Sequence, residues 1–378
     1  MDHNDTLVRS AHDQTWLEVD LAKIRSNVEC LRRTVGTRVL FVVKADGFGH
    51  GMEHVASAGV KGGASFLGVT SLSEAERLRH FDRNASVLIM GPVFDSEAEI
   101  ANRIRSRWVV WREEHLQAAD AAGRLIGAPS VVHVKADVGM SRFGAELGRV
   151  PKLLRLARSM QGIQVEGLCT HLPSSDDEQK SETTQQLASF ADLVHALEVE
   201  GLRPPLVHAA NSAGALRFEQ SRLDMVRCGL AAYGLSPSEA VRLPNGLAPA
   251  IRWQARFVEV REVERGRPIG YNAGFVAAER MRIGVLGLGY VHGFRRSPKG
   301  VNAVIVKGRK CQVVGNVCMQ HCMVDVGIEN SVEVGDEATA LGSTAENEIT
   351  ALDLASRWGT NPWDVVCGIH PLVPRRYM

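Results

Sequence analysis

The sequence lacks the features that mark several large classes of protein. Its seven cysteines, an odd number, are scattered over 378 residues, which argues against a disulfide framework. No apolar run approaches the roughly 20 residues that a membrane-spanning helix needs. The first residues are polar and charged, without the apolar segment of a secretory signal. These absences predict a cytoplasmic protein with reduced thiols and no membrane partner.

An excess of charge of one sign is also missing. The sequence has 44 Lys and Arg against 43 Asp and Glu, a formal net charge of +1, so no nucleic-acid partner is predicted. Cys311, Cys318, His321 and Cys322 lie close together in the sequence. They contain no Cys-x-x-Cys pair, and cysteine is among the most buried residue types, so no metal site is predicted.

Strand-like and helix-like segments alternate over the first two thirds of the chain. Ser71 and Glu74 have the spacing of a capping box and predict the start of one helix. Eight strand–helix units in succession indicate a parallel α/β fold, and this number favours a closed (β/α)8 TIM barrel over an open sheet. The predicted strands are 39–44, 66–69, 87–90, 107–110, 131–136, 165–169, 205–208 and 225–228.

The pattern changes near residue 245. Ile251, Trp253, Ala255 and Phe257 alternate with polar residues, and further short strands separated by Gly and Asn follow. We therefore predict three regions, which are a disordered tail over 1–13, a barrel over 14–245 and a C-terminal β-rich domain over 246–378.

The most informative stretch is the first predicted barrel strand with the turn after it. Five apolar residues lead to Lys44, and Gly47, Gly49 and Gly51 follow. A desolvated lysine amine is the usual anchor for an aldehyde cofactor, which it holds as a Schiff base. The glycines let the backbone turn sharply and approach a ligand closely. The alternative is a lysine that only extends from a strand end into solvent.

Other predicted strands also end in polar or cationic residues. Lys135 lies at the end of the fifth strand and Arg142 follows it, His171 follows the sixth, and Arg227 lies in the eighth. The carboxyl ends of barrel strands meet at one rim, where the active sites of such barrels lie. We therefore expect these side chains to converge.

The ends of the seventh and eighth strands suggest a phosphate site. Asn211 and Ser212 stand at the start of a helix, and Gly229 and Leu230 offer backbone amides. Barrels frequently bind phosphate at these two loops. Pyridoxal phosphate fits a lysine and a phosphate site at one rim, and so would a phosphorylated aldol substrate.

Nine short motifs occur along the chain in a fixed order, at 43–51, 135–144, 208–212, 225–229, 233–234, 270–271, 287–290, 317–319 and 373–375. This ordered set resembles the alanine racemase family, from about Thr15 to the C-terminus and with family-like spacing. The resemblance implies a pyridoxal-phosphate barrel with a C-terminal β domain, in a head-to-tail homodimer that racemises alanine.

The resemblance also implies roles for the candidate residues. Lys44 would hold the cofactor and act as one base, and Tyr271, contributed by the second subunit, would be the opposite base. Arg227 would donate to the pyridine nitrogen, with His171 beside it. The remaining residues would hold the phosphate (Asn211, Ser212, Gly229 and Leu230), bind the substrate (Arg142, Met319 and Tyr290) or become carbamylated (Lys135).

Several positions depart from the family pattern, namely Phe48, Asn272, His292, Gln320, Pro371 and Leu372. Because these positions surround the expected site, serine or another small or polar amino acid is an alternative substrate. A decarboxylase of basic amino acids on the same barrel is a second alternative, which Cys318 and Cys322 keep open. A non-catalytic cofactor-binding protein is a third, and it would not need a second domain.

Overall fold

The computed structural model describes residues 13–179, 181–297 and 301–378. They form two compact units, of which one holds residues 23–47 and 52–248 and the other holds the N-terminal segment up to Ala22, residues 48–51 and residues 249–378. The predicted tail lies outside the described residues except for Asp13, whose carboxylate accepts a hydrogen bond from Arg376 at 3.0 Å. No helix in the described chain is long and apolar enough to cross a membrane.

The first unit is the predicted barrel of eight parallel strands. Successive strands pair in parallel, and the eighth pairs with the first, from Met225 opposite Arg38 onward. Backbone hydrogen bonds from Asp224 to Val207 and from Arg227 to Ala210 close the gap between the seventh and eighth strands. The strands are Arg38–Val42, Phe66–Val69, Val87–Ile89, Arg107–Val110, Ser130–Asp137, Ile163–Cys169, Leu206–His208 and Met225–Cys228, and the short strand Ala145–Glu146 pairs with the fifth.

Helices connect these strands, as the alternating pattern predicts. Ser71 caps one of them, since its hydroxyl accepts the N–H of Glu74 at 3.2 Å. The first barrel strand is apolar on both sides, and Val39, Leu40 and Phe41 are fully buried, as expected for a strand covered on both faces. The helices are Leu21–Val35, Met52–Lys61, Leu72–Phe81, Ala98–Arg103, Glu113–Ile126, Val150–Ser159, Glu182–Val199 and Ser212–Arg217.

The second unit is the predicted β-rich one, built on a largely antiparallel sheet of nine strands. Trp253, Ala255 and Phe257 are buried in its core, as is Gln254 between them, whereas Arg252 and Arg256 are only partly buried. The sheet strands are Thr15–Val19, Ile251–Val263, Met281–Leu286, Ala303–Val306, Arg309–Val314, Cys322–Asp325, Glu337–Ser343, Glu348–Ile349 and Arg375–Tyr377. A hairpin of Pro268–Ile269 with Phe275–Val276 and the helices Ala351–Trp358 and Pro362–Cys367 complete the unit.

The N-terminal strand differs from the predicted domain division, which starts the barrel at residue 14. Thr15–Val19 pairs antiparallel with the strand that begins at Ile251 and parallel with Arg375–Tyr377, so it belongs to the β-rich unit. Its residues Trp16 and Leu17 are buried there. The predicted boundary between the barrel and the C-terminal β-rich domain, near residue 245, stays a prediction.

Candidate active site

Lys44 follows the first barrel strand and begins a turn of left-handed backbone. The φ angles of Ala45, Asp46 and Phe48 are 52°, 53° and 52°, a region that residues other than glycine rarely adopt. Such conformations cost on the order of 1–3 kcal/mol each and persist where the surroundings fix them, often at functional sites. Here the N–H of Gly47 donates to the carbonyl of Val43 at 2.8 Å. The lysine is therefore presented by a tightly determined turn.

The fifth strand brings a buried amine to the same rim. Lys135 is only 7% exposed, and no ion pair with a carboxylate is seen for it among the described residues. Burial and the nearby guanidinium groups of Arg227 and Arg142 lower the pKa of Lys135. A lowered pKa raises the fraction of neutral, nucleophilic amine.

Asp137 organises the loop that carries Arg142. Its carboxylate accepts the backbone N–H groups of Gly139, Met140 and Ser141, each at 2.9 Å. These three bonds fix the loop directly before Arg142, so the direction of that side chain depends on Asp137.

Arg227 is buried in the eighth strand, with an exposed fraction of 6%. Its Nη1 donates to His208 Nδ1 at 2.9 Å and to the His208 carbonyl at 3.2 Å. Its Nη2 donates to the carbonyls of Thr170 at 2.7 Å and Ala209 at 2.9 Å, and lies 3.3 Å from His171 Nδ1. Within the described residues no acceptor contacts the remaining N–H, on Nε. Four of the five N–H groups of the guanidinium therefore donate to acceptors in the barrel, and the fifth remains for a ligand.

His171 lies beside this guanidinium at the end of the sixth strand. Burial, followed by the charges of Arg227 and Lys135, holds the pKa of His171 well below its usual value. A neutral imidazole at this position adds no further positive charge to the cationic rim.

Ser212 and Asn211 join the ends of the seventh and eighth strands. Ser212 Oγ accepts the N–H groups of Gly229 at 3.0 Å and Ala231 at 3.4 Å. The Asn211 side chain accepts the N–H of Gly214 at 2.9 Å and so caps the helix that begins at Ser212. Asn211 therefore shapes the loop as the N-cap of this helix, a position that asparagine favours.

Two backbone N–H groups at these loops remain available. In the part of the chain that the structure describes, no acceptor contacts the N–H of Ala213 or of Leu230. One lies in the first turn of the helix that begins at Ser212, and the other directly follows Gly229. Unpaired N–H groups at a helix start suit an anion.

The predicted residues of the second unit are exposed on the single chain. The exposed fractions are 71% for Tyr271, 43% for Tyr290 and 57% for Met319. Hydrogen bonds from the Tyr290 and Val291 amides to the carbonyls of Cys318 and Met319, at 3.1 and 2.9 Å, hold Tyr290 beside Met319. Tyr290 and Met319 are thus neighbours within this unit.

Three of the departures from the family pattern have a local explanation. Asn272 has φ 57°, a left-handed conformation that asparagine tolerates better than most residues. His292 Nδ1 accepts the N–H of Gly289 at 3.0 Å and so closes the turn that contains Tyr290. Phe48 is buried. Nothing in the structure explains Gln320, Pro371 or Leu372.

The cysteines do not favour the decarboxylase alternative. Cys322 is fully buried, and burial raises the pKa of its thiol. Cys318 is partly buried, its Sγ lies 3.6 Å from the carbonyl of Asn316, and burial raises its thiol pKa as well. Cys322 is therefore shielded from solvent, and the Cys318 thiol is directed to a backbone carbonyl. Among the described residues, no group of three His, Cys, Asp or Glu side chains could hold a metal ion.

Comparisons with known proteins agree with these observations. Residues 19–237 match the family described as alanine racemase, N-terminal domain, and residues 250–377 match alanine racemase, C-terminal domain. An alanine racemase of Symbiobacterium thermophilum is 38% identical over 364 residues, covering 96% of this chain and 97% of the relative. One of Halothermothrix orenii is 33% identical, covering 96% of both chains.

Solved structures show the same likeness over the whole chain. The alanine racemase from Streptomyces coelicolor A3(2) is similar with a TM-score of 0.92 and 31% identity, covering 97% of this chain and 99% of that one. Both parts of the sequence match in order and almost completely, and the chain belongs to the alanine racemase family.

Proposed function

We propose that this protein interconverts L- and D-alanine with pyridoxal phosphate held by Lys44. The observation that carries the proposal is the rim of the barrel. There an amine at a strained turn accompanies a buried guanidinium whose Nε N–H has no acceptor among the described residues. Family membership and relatives that are themselves named alanine racemase support the same activity. A cytoplasmic location belongs to the proposal.

The residues at the rim fit the cofactor group by group. Its aldehyde needs an amine, which Lys44 offers, and its pyridine nitrogen needs a donor, which the Nε of Arg227 offers. Its phosphate needs several N–H donors, and the amides of Ala213 and Leu230 are available where Ser212 ties two loops together. When bound, the cofactor withdraws electrons from the α-carbon of the substrate, so that its proton becomes acidic.

In this proposal Arg227 determines whether the cofactor promotes racemisation or side reactions such as transamination. A guanidinium stays charged over the whole physiological range and can only donate. Facing a pyridine nitrogen, it would keep that nitrogen unprotonated and limit electron withdrawal into the ring. This disfavours side reactions such as transamination and leaves proton exchange at the α-carbon as the main reaction.

Inversion at the α-carbon needs a group on each side of it. In the proposal Lys44 takes or returns the proton on one face, and Tyr271 does so on the other. Tyr271 is mostly exposed on the single chain, whereas a catalytic base works best in a site that excludes water. A second copy of the chain would contribute Tyr271 to this site, and the protein would be a homodimer with shared active sites.

The remaining candidates would hold the substrate carboxylate. Arg142 supplies a guanidinium from the loop that Asp137 organises. In the proposal Met319, through its amide, and Tyr290 also bind the substrate. We propose that Lys135 loses a proton and bonds to carbon dioxide, because burial and the charges of Arg227 and Arg142 lower the pKa of this amine. The resulting carbamate anion would be paired with these guanidinium groups.

A chiral product assay tests the proposal. Purified protein with added pyridoxal phosphate should convert L-alanine into D-alanine and the reverse. L-serine is assayed in parallel, and released CO₂ is measured. Lys44→Ala should abolish both turnover and the absorbance of bound cofactor, whereas Lys152→Ala, an exposed lysine paired with Glu113, should leave both unchanged. Turnover by Lys44→Ala would refute the role of Lys44, and CO₂ release without racemisation would favour a decarboxylase.

A further inference from the structure

A chain of hydrogen bonds connects Arg227 to a carboxylate elsewhere in the barrel. Arg227 Nη1 contacts His208 Nδ1 at 2.9 Å, and His208 Nε2 contacts His133 Nδ1 at 2.8 Å. His133 Nε2 contacts Glu166 Oε2 at 3.0 Å. Arg107 donates to both oxygens of the same carboxylate, with its Nε 2.8 Å from Oε2 and its Nη2 3.3 Å from Oε1. The five side chains come from the eighth, seventh, fifth, sixth and fourth strands.

The donors and acceptors available determine the direction of each hydrogen bond between Arg227 and Glu166. Arg227 can only donate, so His208 Nδ1 must accept and its proton must be on Nε2. His208 Nε2 then donates to His133 Nδ1, which leaves the His133 proton on Nε2, facing Glu166. An extra proton on either ring would bring two N–H groups face to face. Both rings are therefore neutral, in agreement with burial, which lowers the pKa of His133 and of His208.

The carboxylate of Glu166, at the other end of these hydrogen bonds, selects the same two tautomers as Arg227 does. A neutral imidazole can carry its proton on either nitrogen, whereas an ionised carboxylate can only accept. Although burial opposes ionisation of Glu166, the hydrogen bonds from His133 and Arg107 lower its pKa to about 2. Glu166 is thus a fixed acceptor at neutral pH. Both histidines are fully buried, so water does not compete for their protons.

We infer that Glu166 is a positioning residue for Arg227: through His133 and His208 it holds the guanidinium in the one orientation that leaves Nε for the cofactor. This inference rests on the proposed function, because it assigns a purpose to that orientation. Without the fixed acceptor, His133 could turn its proton toward His208. His208 Nδ1 would then no longer accept from Arg227 Nη1, which would keep only the His208 carbonyl at 3.2 Å, so the guanidinium would be held less firmly.

Glu166→Gln tests the inference in the full-length protein. The amide keeps the shape of the side chain but offers both a donor and an acceptor, so it no longer selects one tautomer. The first readout is ¹⁵N NMR of histidine-labelled protein, with and without pyridoxal phosphate. Wild-type His133 and His208 should each show one protonated and one bare ring nitrogen, whereas in Glu166→Gln these resonances should move toward averaged positions.

The second readout is the balance between two reactions. In Glu166→Gln we expect kcat for alanine racemisation to fall about 10-fold, or about 1.4 kcal/mol of barrier, with KM nearly unchanged. Transamination per turnover should rise, since a misplaced Arg227 no longer keeps the pyridine nitrogen unprotonated. A merely structural role would lower the amount of folded enzyme without changing this ratio.

Asp224→Asn provides the matched control. Asp224 forms a similar ion pair with Arg203 in the same barrel, with side-chain exposures of 29% and 28% against 18% and 24% for Glu166 and Arg107. Its carboxylate also accepts the N–H of Val207 at 2.8 Å but forms no hydrogen bond with either histidine ring. Asp224→Asn should keep the wild-type ring resonances and transamination ratio, even though its stability falls.

The two readouts distinguish a failure of this inference from a failure of the proposed function. Wild-type ring resonances in folded Glu166→Gln, or averaged resonances with an unchanged transamination ratio, would overturn the inference. If Glu166→Gln does not fold, Arg107→Leu is judged by the same two readouts and should shift both in the same direction. It removes the ion-pair partner of Glu166 and a contact with the Phe66 ring. A wild-type enzyme that does not racemise alanine would overturn the proposed function, whereas the resonances would still decide whether Glu166 fixes the tautomers.

Discussion

The carboxylate of Glu74 accepts the backbone N–H of Ala45 at 2.7 Å, directly after Lys44. Its second oxygen accepts the N–H of Thr70 at 2.9 Å, just after the second barrel strand. One side chain therefore ties the lysine turn to the neighbouring strand end. The predicted capping box is realised only in part, because Ser71 caps the helix while Glu74 bonds Ala45 and Thr70.

The Glu74 contact predicts a defect at Lys44 when the charge is removed. Glu74→Gln keeps the size but weakens two charge-assisted bonds, each worth about 1.5–3 kcal/mol. The strained turn should relax, so that the protein retains less pyridoxal phosphate after gel filtration and kcat falls about 10-fold or more. Glu76→Gln, on the same helix, is the control and should behave as wild type. Full cofactor retention and wild-type kcat in Glu74→Gln would contradict this prediction.

Mixing two inactive variants tests whether the active sites are shared between subunits. Lys44→Ala and Tyr271→Phe should each be inactive alone. If the two groups at one α-carbon come from different chains, a mixed dimer regains one intact site of its two. After dissociation and random reassembly, about a quarter of the wild-type activity should return. If both groups come from one chain, the mixture stays inactive.

Lys135 is predicted to carry carbon dioxide as a carbamate. Protein equilibrated with ¹³C-bicarbonate should show a carbamate carbon signal by NMR that is absent from Lys135→Ala. That variant should also have a raised KM for alanine, because Arg142 loses the anion that pairs with it. Lys152→Ala is the control. A wild-type protein with no such signal, and with full activity in buffer freed of carbon dioxide, would refute carbamylation.

The neutral histidines predict how stability depends on pH. Burial holds the pKa of His171 and of His208 well below 6.5, and that of His133 is lowered as well. Below pH 6.5 the unfolded chain binds protons that the folded chain does not, so the free energy of unfolding falls as pH is lowered. Each group contributes up to about 1.4 kcal/mol per pH unit.

Glu166 extends the same trend to lower pH. Its pKa is about 2 in the folded protein against an ordinary 4.5, so its stabilisation is present above 4.5 and is lost as pH falls from there toward 2. Urea unfolding at a series of pH values measures both effects. A free energy of unfolding that stays constant or rises between pH 7 and 5 would contradict the assignment of neutral histidines.

Much of the architecture could be predicted from local sequence. Apolar, valine-rich runs such as 39–43 suit strands covered on both faces, and their regular alternation with helices predicts a barrel. Because the strand ends of a barrel meet at one rim, the positions of Lys44, Lys135 and Arg227 follow from the order of the chain alone. Residue chemistry then predicts a site for an aldehyde that bears a phosphate.

Other features depend on residues that become neighbours only in the folded chain. The pairing of Thr15 with Ala255 moves the first strand out of the barrel unit, and no local pattern marks such a distant partner. Glu74 and Glu166 carry no motif for their contacts with Ala45 and His133, because a single carboxylate in a helix or strand has no preferred long-range partner. Sequence determined which groups reach the rim, whereas tertiary packing decided which buried acceptors hold them in place.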